Sequence, residues 1–143
     1  MTVSTDFHAL VGRLLLGWFF LSQADLRVGQ WDAMLLLVQM RHIPFGATLL
    51  SLSLVTMLLG GAGIILGWQA RLCAAALTLC TLAWVVCAHD FWNLQNAIDR
   101  AGDFETFSLG VGLVGGLLLL TGFGPGRFSM DAWTARSAQR ENA

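Results

Sequence analysis

Four apolar stretches, each long enough to cross a bilayer, decide what this chain can fold into. A spanning helix needs roughly 20 mostly apolar residues. Such stretches run from about Ala9 to Leu26, Pro44 to Gly67, Leu72 to His89 and Phe107 to Phe123. In hydrocarbon every backbone N–H and C=O must find its partner inside the protein, which makes helices of these stretches. Only 12% of the 143 residues are charged and 56% are hydrophobic, against roughly 25% charged in soluble chains. Water is therefore a poor solvent for the exterior, and lipid a good one. The expected fold is all-α: an integral membrane four-helix bundle forming one domain over residues 1–143, with no soluble domain large enough for a separate active site. A net charge of -1 exerts no general pull on nucleic acid, which is not expected as a partner.

The connections refine this picture. Gln23 to Asp32 is polar, and Ala33 to Met40 is apolar but too short to cross, so an interfacial segment is expected between the first and second helices. The turn Trp68-Gln69-Ala70-Arg71 is short, which makes the second and third helices antiparallel neighbours. Asn93 to Glu105 is too polar for hydrocarbon, Gly124-Pro125-Gly126 ends the fourth helix, and Thr134 to Ala143 is expected to be a mobile tail. Asp6 and Arg13, with no small-residue cleavage site after them, make the first stretch a retained helix instead of a cleaved signal. Arg71, Arg127, Arg136 and Arg140 fall on the side of the termini, and Arg27, Arg41 and Arg100 on the other. That bias favours cytoplasmic termini in an inner membrane. Trp31 and Trp92 mark one interface, Trp68 and Trp133 the other.

Small residues should set the helix packing. Gly60 and Gly61 close the second helix, and Gly112 and Gly116 form a G-x-x-x-G face on the fourth. Cys73, Cys80 and Cys87 recur every seven residues on one helix face, about 10.5 Å apart. That is too far for a disulfide within the helix, and a packing role is the simpler reading.

Two sets of residues carry candidate chemistry. Arg13 lies within the first apolar run, where it either snorkels to head groups or turns inward to a structural or substrate contact. His89-Asp90-Phe91-Trp92 closes the third helix. Histidine beside a carboxylate can move protons, and with Trp92 it offers a donor and an aromatic face to a quinone head; an interfacial anchor is the plainer alternative. Arg27 follows a helix that ends on the same side, so Arg27, His89, Asp90 and Trp92 form a candidate outer site. His42 and His89 lie near loops, a poor arrangement for haem, and His8 is a surface residue. No nucleophile elbow, phosphate loop or zinc pattern occurs, and no metal site is expected.

In order, these landmarks read Arg13-Leu-Leu-Leu-Gly17, Ser22 and Arg27; Gly60-Gly61, Gly67 and Arg71; His89-Asp90-Phe91-Trp92; and Gly124-Pro125-Gly126-Arg127-Phe128-Ser129-Met130-Asp131. The pattern resembles the DoxX family of small bacterial four-helix membrane proteins over nearly the whole chain. It departs from that family at Thr56-Met57, where many members carry Glu, and at Ser108 and Gly110, where many carry Asn. The resemblance implies a small inner-membrane subunit or partner of a respiratory or thiol-redox system, in contact with quinone but with no redox centre of its own. Two other readings stand beside it: a structural accessory subunit of a larger membrane complex, and a small-solute carrier. The substrate, the catalytic residues and the oligomeric state are not legible.

Overall fold

A computed structural model of the chain describes residues 3–40, 42–88 and 94–141. Six helices occur among the described residues: α1 (Val3–Gly29), α2 (Trp31–Met40), α3 (Gly46–Leu66), α4 (Ala70–Ala88), α5 (Ala97–Phe123) and α6 (Met130–Glu141). Within α1, α3, α4 and α5 lie four segments long and apolar enough to span: Asp6–Gly29, Gly46–Leu66, Ala70–Cys87 and Ala97–Phe123. The protein is a multi-pass membrane protein, all-helical, with the ten-residue α2 between the first and second spans.

Helix ends differ from the sequence expectation where local chemistry overrides hydropathy. Asn96 caps α5 by accepting the Ile98 N–H at 3.1 Å, so the helix begins about ten residues before Phe107. Its 27 residues span about 40 Å, more than the roughly 30 Å of hydrocarbon. The polar turns thus stay helical, as an extension of the apolar stretch. Pro44 lies in the loop before α3, which starts at Gly46 after a left-handed Phe45. The start of the expected tail, residues 134–141, is helical and forms the end of α6, whose first turn is capped where Ser129 Oγ accepts the Ala132 N–H at 3.2 Å.

The spans alternate in direction. The start of α1, the α3–α4 turn and α6 share one end, here the terminal end; the α1–α2 and α4–α5 connections share the other. α1 packs on α3, α3 on α4 and α4 on α5, whereas α1 and α5 meet only sparsely, so the ring of four is open along one seam. The core is Phe20, Ala24, Met57, Ile64, Ala74, Leu77, Leu117 and Leu120. Large apolar side chains such as Leu15, Leu59, Leu79 and Leu119 face outward, where lipid takes the place of water.

Glycines bring α3 close to both neighbours. A Cβ on Gly61 would come within 3.2 Å of the Gly17 carbonyl oxygen, and one on Gly60 within 2.8 Å of Leu77. On α5 the close approach is made by Gly110 against Val85; Gly112 faces open space, and a Cβ on Gly116 would meet Leu16 only at an ordinary 3.7 Å. The G-x-x-x-G spacing locates the right helix but not the residue in contact. All three cysteines are free, and Cys73 packs beside Gly63.

Candidate functional site

At the terminal end, Arg13 is 1% exposed. Its Nη2 donates to the Phe128 carbonyl, while Nε and Nη1 have no hydrogen-bond partner. Asp131 supplies the nearby opposite charge. The Asp131 carboxylate also accepts the N–H groups of Gln69 at 2.8 Å and Ala70 at 3.1 Å, at the start of α4. Its backbone N–H donates to the Gly67 carbonyl at 3.0 Å. The buried Asp6 accepts the Arg127 N–H at 3.3 Å. These bonds tie α1, the α3–α4 turn and the segment entering α6 into one clasp. Arg13 thus turns inward to the protein. Its guanidinium is enclosed, with Gly67 Cα so near that a Cβ there would lie 2.1 Å from Nη1.

At the opposite end, Arg27 is buried at 7% exposure, although it lies in the last turn of α1. Its Nη1 donates to Ser53 Oγ at 2.7 Å, and Ser53 Oγ donates in turn to the Leu50 carbonyl at 2.8 Å. The guanidinium carbon lies 4.2 Å from the centre of the Trp84 ring, a cation–π contact that holds the charge over an aromatic face. Ser53 lies seven residues inside α3, about 10.5 Å from its first residue. A permanent positive charge is therefore held within the span instead of being released to water.

Arg27 lines a cavity of about 350 Å³ on the side where α1 and α5 meet sparsely. By their positions along the helices, Arg27, Trp84, Val85, Thr106 and Leu109 of its lining lie nearest the outer end, Gln23 and Thr81 about one turn deeper, and Phe19, Phe20 and Met57 toward the middle of the bundle. A second cavity of about 390 Å³ lies among α2, α3 and α4 and is nearly all apolar; Cys80 and Trp84 line both. Among the described residues no cluster of three metal-ligating side chains occurs.

Of the expected outer site, only Arg27 can be placed. His89, Asp90 and Trp92 lie outside the described residues. The structure gives Arg27 different neighbours, Ser53 and Trp84, and puts Arg13 at the other end of the bundle. Ser53 and Trp84 were not singled out by sequence, although a signal existed: Trp84 is a tryptophan inside an apolar run, away from both interfacial belts.

The pattern that defines the SURF4 family matches residues 4–136, nearly the whole chain. That match overturns the resemblance to DoxX, for which nothing speaks. The landmarks that suggested it were glycines, helix-end aromatics and a capped final turn, all features that close helix packing and a bilayer interface demand of any such bundle. No curated protein and no solved structure matches the chain at a significant level.

Proposed function

The chain belongs to the SURF4 family, and we propose that it acts as a binding protein within the bilayer, holding an amphipathic molecule by its polar end at Arg27. One observation carries this reading: a buried arginine, fixed by Ser53 and Trp84, borders a mostly apolar cavity toward its outer end. A charge in a spanning segment costs a few kcal/mol, and a buried charge kept only for stability is replaceable by apolar packing. Its retention beside open space favours a ligand with a hydrogen-bond-accepting head.

A quinone carbonyl has that chemistry, but the redox setting expected from sequence leaned on the DoxX resemblance and falls with it. The ligand is therefore named by chemistry alone. The arginine bias of the loops supports termini on the cytoplasmic side, which puts the cavity in the opposite leaflet. Mass spectrometry of small molecules retained by the gently purified protein tests the proposal. Losing a charged donor is worth about 1.5–3 kcal/mol, so Arg27→Gln should retain roughly 10- to 100-fold less ligand at equal folded protein. Equal retention by both proteins would sink the reading.

A further inference from the structure

Resting on that reading of Arg27, we infer that the cavity takes a single-chain carboxylate amphiphile of the fatty-acid type, sideways from one leaflet through the seam between α1 and α5. Four observations converge. First, the cavity lining stops short of Leu16 and Gly116, where α1 and α5 lie close enough that a Cβ built on Gly116 would be 3.7 Å from Leu16. The opening therefore serves one leaflet only. Second, the rim residues Thr106 and Leu109 are exposed, Leu109 at 64%, so the mouth faces the lipid chains.

Third, Arg27, the charged group of the lining, lies toward the outer end of its span and the phenylalanines nearer the middle. A leaflet amphiphile has the same polarity along its length, so it slides in without turning over. Fourth, size and charge limit the occupant. At about 30 Å³ for a water-sized group, a cavity of about 350 Å³ holds roughly a dozen methylenes, one chain and not two. Arg27 is the one basic side chain among the described residues that line it, which suits a head of one negative charge. A carboxylate also matches the planar guanidinium fork.

The test uses the full chain in phosphatidylcholine vesicles with a photoactivatable dodecanoic acid, and the labelled residues are mapped by mass spectrometry. The expected result is saturable labelling of α1 and α5 residues around Phe19, Phe20 and Leu109, displaced by unlabelled dodecanoate and not by butyrate. Labelling should fall at least ten-fold in Arg27→Gln. It should also fall in Leu109→Trp, a filling change at an exposed position that leaves Arg27 in place. Saturable labelling by a photoactivatable diacyl phosphatidylglycerol but not by the fatty acid would overturn the single-chain assignment while the Arg27 reading stands. Displacement by butyrate would overturn sideways access. Labelling confined to outward faces and unaffected by Arg27→Gln would overturn both.

Discussion

Replacing Gly67 by alanine tests the clasp at the terminal end through a single methyl group. Gly67 has φ +68° and ends α3 with two bonds, Gly67 N–H to the Ile64 carbonyl and Trp68 N–H to the Gly63 carbonyl. A non-glycine residue in this left-handed conformation costs roughly 1–2 kcal/mol. The added Cβ would also lie 2.1 Å from Arg13 Nη1 and 2.5 Å from Ser129 Cβ. Neither neighbour can yield freely, because the guanidinium is enclosed and Ser129 caps α6. Displacing Arg13 from the Phe128 carbonyl loses a bond to a charged group, about 1.5–3 kcal/mol. The total comes to about 2.5–5 kcal/mol. Denaturation of detergent-solubilised protein by sodium dodecyl sulfate, followed by tryptophan fluorescence, measures it. Gly102→Ala is the control: nothing lies within 4 Å of that position in α5, so it should be neutral or gain up to about 1 kcal/mol. In an Arg13→Met background the cost of Gly67→Ala should shrink toward the backbone strain alone. If Gly67→Ala matches Gly102→Ala, Arg13 is not enclosed as described.

Asp131→Asn weakens the bonds to Gln69 and Ala70 and removes the charge beside Arg13, so it should destabilise by about 1–3 kcal/mol in the same assay. Gly110→Val should lower the melting temperature by pushing Val85 away, whereas Gly112→Ala should leave it unchanged; the reverse order in a detergent melt would refute the assigned α4–α5 contact. Trp84→Ala should cost about 1–2 kcal/mol more than Trp84→Phe, which keeps an aromatic face under Arg27. A reporter after Ala143 should be cytoplasmic and one inserted between Asn96 and Ala97 external, as alkaline phosphatase activity of the two fusions would show.

Sequence reasoning reached the fold because hydrocarbon imposes a length and a polarity that four stretches meet and the rest do not. It missed the extra turns of α1 and α5 and the existence of α6, because hydropathy is blind to helix that continues outside the bilayer. Caps such as Asn96 and Ser129 decide those ends. The site was harder to read. Arg27 was singled out as a charge following an apolar helix, but its partners sit 26 and 57 residues away on other spans. Serine in an apolar helix can satisfy itself on its own backbone, as Ser53 does at Leu50, so nothing local marks it as a partner. Arg13 shows the same limit. Its bond to Phe128 closes a loop of 115 residues, which no local pattern encodes.

Solid-state NMR of protein labelled with ¹⁵N at arginine side chains, bound to a fatty acid labelled with ¹³C at its carboxyl, tests the central claim most directly. The account predicts a dipolar contact at about 4 Å between the carboxyl carbon and a guanidinium nitrogen, the separation of a hydrogen-bonded fork. It also predicts that this contact disappears in Arg27→Gln while the other arginine signals stay in place. A contact that survives Arg27→Gln, or none in wild-type protein at saturating fatty acid, would contradict it.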